Sequence, residues 1–411
     1  MVGYGMMKLF ENVNGHMKKL VSTLSSLFFF IAISSAQTTD VLLMDGNRLV
    51  TIKKKIEQKD APTLQLVTAL RKQADELLNS KPVSVMDKAF TPASGDKHDY
   101  MSQAPYFWYD STKPNGLPYM RKDGVRNPEI NKITDHRNLG ELDNACRTLS
   151  LAWFLTGEEK YAAKASALLQ YWFLNEATKM NPNLNFGQAI PGITNGRGIG
   201  IIETVSLTGI ADAVNLLKGS KSLTDKDNKS IHEWYAQYLT WMLTSKNGNE
   251  EHAAKNNHGT WFYAQVIDFA LFTGNTAKAK ELAEESKKKI DSQIDAAGKM
   301  QLELDRTNGL GYSTFNLQAW FRVATLAQHA GVNLWQYVNP QGASIRTALD
   351  WLLPYSLGQK TWTYQQIGEY NKNGIYPLLV QAATVYKDAN YATLAGQLQE
   401  DKDVVGELLY R

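Results

Sequence analysis

Three local groups in this 411-residue chain carry side chains able to do chemistry. Asn256-Asn257-His258-Gly259-Thr260-Trp261 places two amides and an imidazole at the expected start of a helix. Glu303-Leu304-Asp305-Arg306-Thr307, followed by Gly311-Tyr312-Ser313, supplies a guanidinium and a phenol. Gln188 and Arg197 share a polar, Gly-rich connection. Together these residue types suit β-elimination from a uronic acid polysaccharide. The C5 proton of a uronate lies α to a carboxylate, so its removal creates an enolate-like dianion. Asn and Arg N–H groups aimed at the carboxylate stabilise that charge, and a neutral His adds one more donor. In a mannuronate or glucuronate the C5 proton and the departing O4 lie on the same side of the ring. One Tyr can therefore take the first proton and return it to the second site. Its phenol, ordinarily with a pKa of about 10, is expected to be lowered by Arg306 or a charged His258. No metal or other cofactor is called for, and the seven His show no HExxH-type ligand spacing.

Each group also has a plainer reading. A lone His at a helix start is commonly structural, and Asn256 or Asn257 serves equally as an N-cap. Arg306 is a natural ion-pair partner for Glu303 or Asp305, and Tyr312 a packing residue. Glu250 and Glu251, just upstream, read as a solvated helix end or as a group that tunes His258. Two other functions compete. A glycoside hydrolase needs a carboxylate pair, for which Asp99, Asp143, Glu203 and Glu303 are available but stand in no motif. A non-catalytic binder of acidic glycans would use the same cleft with an idle Tyr312.

The elements that must position these residues read as helix after helix. Apolar spacings of three and four predict helices over 63–79, 139–155, 158–174, 199–217, 225–244, 260–272, 276–296, 314–330, 344–355, 375–386 and 391–409. Phe154-Leu155-Thr156-Gly157 before one helix is echoed by Leu271-Phe272-Thr273-Gly274 before another, and faintly by Ala383-Thr384-Val385-Tyr386. A Gly at an apolar helix end suits the left-handed C′ position and an αα-hairpin. Repeated hairpins stack into a solenoid or close into a toroid; an all-α, single-domain toroid over 37–411 is the expected architecture. Two stretches break the rhythm, 91–138 and 178–198, and the first is long and aromatic enough to be a lid or binding loop. The 10 Trp and 19 Tyr fill a core or line a sugar-stacking cleft; composition does not choose.

The sequence resembles the alginate lyase superfamily of helical-toroid polysaccharide lyases, on the family 38 side and related to family 5. The resemblance is carried by KHDYMSQAPYFW (97–108), GLPYMRKDGVRNPE (116–129), LTGEEKYAAKA (155–165), WFLNEATKMNPNLNFGQAIPG (172–192), GRGIGII (196–202), NNHGTW (256–261) and ELDRTNGLGYSTFNL (303–317). It implies an incomplete (α/α) toroid of paired antiparallel helices, with long loops over a cleft that takes an anionic uronate polymer. By the same resemblance, Asn257 and Arg306 neutralise the carboxylate and Tyr312 is base and acid. His258 is a carboxylate contact or the base for the opposite stereochemistry. Gln188 and Arg197 touch neighbouring sugars, Tyr119 and Arg121 belong to a lid, and Trp261 and Glu250 are further substrate contacts.

Charge and targeting complete the expectations. A net charge of +3 argues against a dedicated nucleic-acid binder. The single cysteine, Cys146, cannot form an intrachain disulfide and sits in an apolar pattern, so it is expected in the core. Residues 1–36 read as upstream sequence plus a signal peptide: Lys18 and Lys19, an apolar run to Ile33, then Ser34-Ser35-Ala36 for cleavage. The product is expected to be a periplasmic or secreted monomer, free of the membrane, with no other stretch able to cross a bilayer.

Overall fold

Apolar stripes at helical spacing turn most of the chain into helices that bury one face against each other. In chain order these are α1 (Gly46–Glu57), α2 (Ala61–Leu78), α3 (Asp135–Thr156), α4 (Glu159–Phe173), α5 (Leu207–Leu216), α6 (Asp225–Thr244), α7 (Lys246–Ala253), α8 (Asn257–Phe272), α9 (Thr276–Gln293), α10 (Gln301–Leu304), α11 (Gly309–His329), α12 (Ile345–Ser356), α13 (Tyr376–Val385), α14 (Ala389–Ala395) and α15 (Val404–Tyr410). This computed structural model describes residues 40–398 and 404–410, within a unit that begins at Thr39. The expected signal peptide, 1–36, lies outside the described residues. The architecture is an all-α, incomplete (α/α) toroid, in which α3 packs on α4 and α5, and α8 packs on α9 and α11.

The hairpin echo has the expected geometry. Gly157 and Gly274 both have positive φ, 71° and 77°, and Gly157 N–H closes onto Trp153 O at 2.7 Å. In the third, weaker copy Lys387 takes the left-handed place, at φ 52°. Many of the aromatic residues go into the core. Trp172, Trp320, Tyr161, Tyr235, Tyr238 and Tyr263 are fully buried, and Phe173, Trp234 and Phe269 pack around Tyr235. Cys146 is buried among them, and burial pushes its thiol well above the usual range.

Three expectations need correction. The helix expected over 199–217 is broken into a 3₁₀ segment, Gly198–Thr204, and α5. A Cβ on Gly200 would strike the backbone of Gly187, and one on Gly198 the backbone of Asn247. Close backbone approach, not helical periodicity, decides that segment. The same stretch, Gly198–Leu216, is apolar and long enough to cross a membrane by composition, contrary to expectation, yet most of it is buried in the toroid. Finally, the helix expected over 391–409 is two short ones, α14 and α15. Periodicity also missed α1, α7 and α10; α7 is strongly polar and has Gly248 packed against the Met242 backbone.

The two irregular stretches form one layer. Strand β1 (Met101–Gln103) pairs in parallel with β4 (Phe186–Ala189), while β2 (Phe107–Trp108) pairs antiparallel with β3 (Met120–Arg121). Asp99 Oδ1 accepts from Asn181 and Asn183, both at 2.9 Å, and Tyr119 N–H donates to Pro191 O at 3.1 Å. This layer is pinned to the helices by a buried ion pair, Lys88 Nζ to Asp135 Oδ2 at 2.9 Å, with both side chains fully buried. Asp135 also accepts from Met101 N–H of β1. Burial raises its carboxyl to about 6 despite the attraction of Lys88. Lys88→Ala strands a buried carboxylate and is expected to cost about 3–5 kcal/mol in chemical denaturation. A loss under about 1 kcal/mol would show that Asp135 does not depend on Lys88.

Candidate active site

Helix α8 starts the site. Its residues are buried except His258 and Leu271, so the helix is a fixed strut that offers the imidazole at its first turn. Asn256 caps it, its Oδ1 accepting from His258 N–H at 3.3 Å. Asn257 is held twice by one carboxylate: its backbone N–H donates to Glu303 Oε1 at 2.6 Å and its Nδ2 to Glu303 Oε2 at 2.7 Å. Burial raises the Glu303 carboxyl, and the two Asn257 donors oppose this. Asn257 Oδ1 is buried without a partner, and one Nδ2 hydrogen remains unused by Glu303. His258 Nδ1 bonds Glu251 Oε1 at 2.7 Å, which leaves Nε2 as the ring nitrogen for the cavity. Glu251 is 1% exposed, so it is not the solvated helix end the sequence allowed.

The segment between α10 and α11, with the first turn of α11, brings the guanidinium and phenol together. Arg306 donates Nε to Asp123 Oδ2 at 3.1 Å and Nη2 to Asp123 Oδ1 at 2.8 Å. Its guanidinium carbon lies 3.7 Å from the centroid of the Tyr312 ring. Tyr312 OH is 2.8 Å from Tyr106 OH, which comes from the loop between β1 and β2. The expected lowering of the phenol by Arg306 is reversed. Burial pushes Tyr312 up, the hydrogen bond to Tyr106 adds to this, and Arg306 opposes both without prevailing. The charge of Arg306 is already matched by Asp123. Burial would raise the Asp123 carboxyl, but Arg306 and then Arg121 outweigh it and hold the group at about 2.

These side chains line one cavity of about 570 Å³. Gln188, Arg197, Arg121, Tyr106, Asn257, His258, Arg306 and Tyr312 all border it. Arg197 Nη2 donates to Gln188 Oε1 at 2.7 Å and the guanidinium stands over Phe107; burial lowers its pKa. Gln188 holds a left-handed backbone, φ 50°, with its N–H on Ser102 Oγ at 2.7 Å. Arg126 and Arg137 also line the cavity, so five arginines face it against one carboxylate, Glu203, whose Oε2 accepts from Tyr100 OH at 2.8 Å. Such a surface draws a polyanion. The other carboxylates named for a hydrolase are spent elsewhere: Asp99 in the loop layer, Asp143 beside Arg147, Glu303 under Asn257.

Three expected substrate contacts do not line the cavity. Trp261 is 2% exposed and packs its ring on Phe315, because it lies on the buried side of α8. Glu250 accepts from Gly198 N–H at 3.3 Å, bracing the 3₁₀ segment. Tyr119 donates its OH to Glu129 Oε2 at 2.8 Å and sits beyond the cavity wall; burial and Glu129 push its phenol up to about 12. The residues missed were Tyr106, Asp123, Arg126 and Arg137. Tyr106, Asp123 and Arg126 lie inside the aromatic, Pro-rich stretch marked as a loop, where no periodicity says which side chains turn inward. Among the described residues, no three His, Cys, Asp or Glu side chains cluster as metal ligands.

Comparison with known proteins places this geometry in context. Residues 84–362 match the family model for alginate lyase. An alginate lyase from Bacteroides ovatus of known structure is 40% identical, with a TM-score of 0.86 over 91% of this chain and 99% of that one. The alginate lyase A1-III from Sphingomonas species A1 is 14% identical, with a TM-score of 0.54 over 83% of this chain and 94% of that one. A substituted form of A1-III complexed with a tetrasaccharide is also 14% identical, with a TM-score of 0.57 over 84% and 94%. At that identity the A1-III structures speak to the fold alone. No curated protein matches.

Because Glu303 satisfies two donors of Asn257 in a buried place, Glu303→Ala is expected to cost about 1–3 kcal/mol in a denaturant titration. An unchanged midpoint would mean that Asn257 is held by its helix alone.

Proposed function

The chain belongs to the alginate lyase family and is a polysaccharide lyase for an anionic polysaccharide; from that premise we propose that it cleaves β-1,4-linked uronate polymers by syn β-elimination without a metal ion. The observation that carries the reading is the convergence of Asn257, His258, Arg306 and Tyr312 on one arginine-lined cavity. The sugar carboxylate lies against the free Nδ2 hydrogen of Asn257 and the Nη1 side of Arg306, with His258 Nε2 beside it. These donors favour the dianion that forms when C5 is deprotonated. Tyr312 takes the C5 proton, the C5 electron pair forms the C4–C5 double bond, and the C4–O4 bond breaks. The protonated phenol then returns its proton to O4. The products are a new reducing end and a 4,5-unsaturated non-reducing end.

The resting phenol is protonated, because burial and Tyr106 raise it. Its proton passes to water as the polymer enters, and Tyr106 OH is placed to donate a hydrogen bond to the phenolate left behind. Polymannuronate and glucuronan both present the required geometry, since they differ only at C2. Export of the enzyme is part of the proposal, supported by Lys18, Lys19 and the apolar run to Ile33.

A screen of polymannuronate, polyguluronate, glucuronan, hyaluronan and heparin-type chains, read by the ultraviolet absorbance of the conjugated product, tests the function. Product from polymannuronate or glucuronan is expected; cleavage without that absorbance would indicate hydrolysis. Tyr312→Phe is expected to abolish turnover while polymer binding persists, and near-normal turnover would remove Tyr312 from its role. Asn257→Ala is expected to lower kcat by about 10²–10³-fold. A change in KM alone would make its contact a ground-state one.

A further inference from the structure

We infer that Asp123 is a positioning residue for this elimination: its carboxylate, carried on the loop after β3, clamps one edge of Arg306 so that the guanidinium lies over the Tyr312 ring and keeps its other edge for the substrate. The inference rests on the reading of the site given above.

Four donors converge on Asp123. Arg306 supplies Nε and Nη2, Thr307 Oγ1 donates at 3.2 Å, and Arg121 Nη2 donates at 2.7 Å. A side-on pair through Nε and Nη2 fixes the plane of a guanidinium, and that plane faces the phenol ring at 3.7 Å. The Nη1 hydrogens and the second Nη2 hydrogen remain outside the pair. The next residue makes the approach possible. Gly124 has φ 73°, and a Cβ there would meet Ile367 Cδ1 at 2.5 Å and Thr307 Oγ1 at 2.6 Å. Ile367 N–H in turn donates to Thr307 O at 2.9 Å. The loop tip is therefore moulded onto the catalytic segment. Through Asp123, the position of the Arg121 loop and the orientation of Arg306 are tied together.

Asp123 also sets the charge around the phenol. The charged and titratable groups facing Tyr312 are Arg306 from its own segment, Tyr106 from the β1–β2 loop and Asp123 from the β3 loop, with His258 of α8 in the same cavity. Replacing Asp123 by Asn removes a negative charge, so Arg306 attracts the phenolate without an offset and the phenol pKa falls.

The test uses the whole enzyme with Asp123→Asn and Asp123→Ala, on whichever uronate polymer the parent cleaves. Asp123→Ala is expected to lower kcat about 10–100-fold with KM little changed, the range seen when a group orienting an active-site ligand is lost. In Asp123→Asn, the rising limb of kcat/KM against pH, which reports the free enzyme's base, is expected to move to lower pH. An unmoved limb with parental kcat would overturn the inference. So would a fall in kcat that only follows a lower melting temperature. If the Ala variant does not fold, the isosteric Asn variant carries the test alone. A parent that yields no unsaturated product sinks the function and this inference together; an active parent with indistinguishable variants sinks this inference alone.

Discussion

A guanidinium offered to an anion-drawing cavity cannot be left loose, and it cannot be fully neutralised by its own protein. The Asp123–Arg306–Tyr312 stack meets both conditions. One edge of Arg306 is spent on Asp123, its face lies on a phenol ring, and the residue lines the cavity with N–H groups left outside the pair. The same device recurs at Asn257, where Glu303 takes the backbone N–H and one side-chain hydrogen and leaves the other. It recurs at His258, where Glu251 takes Nδ1 and leaves Nε2. In each case a carboxylate, buried at Glu303 and Glu251 and partly buried at Asp123, fixes a donor or acceptor by one side and frees the other. Burial strengthens these contacts, because a low local dielectric raises both the value of a made bond and the penalty of a missing one.

The toroid serves this arrangement by making its supports immobile. Helix α8 is buried along nearly all its length, so the two residues at its start cannot drift. Cavity-lining groups also come from the α10–α11 connection, from the first turn of α11 and from two loops that look independent in the chain but are joined by β1 and β4. The Lys88–Asp135 pair then ties that loop layer to the first turn of α3. A loop over a cleft is usually the mobile part of an enzyme; here it is anchored at both ends of its role, to the helices behind and to Arg306 in front.

Electrostatics divides the cavity from the core. Five arginines face the cavity against the single carboxylate of Glu203, while Asp99 and Glu303 are turned to structural tasks. The excess of positive charge is local: the chain as a whole is nearly neutral. A polyanion is thus drawn to one cleft rather than to the surface at large.

The amino-acid sequence by itself determined the helical class and the hairpin glycines at 157 and 274, and it singled out Asn257, His258, Arg306 and Tyr312, which the fold brings to one cavity. Those signals are local: a 3.6-residue period, a left-handed C′ position, side chains of a given chemistry within a few residues of each other. It misplaced Trp261 and Glu250, because which side of α8 faces the cleft and what α7 braces depend on neighbours distant in the chain. It also had the direction of the Tyr312 shift wrong, since the attraction of Arg306 was weighed without the burial of the phenol or the carboxylate that already holds the guanidinium. Asp123 reaches Arg306 across 183 positions, and only the folded chain could bring an unpatterned loop residue to the point where it fixes the plane of a guanidinium at the cavity.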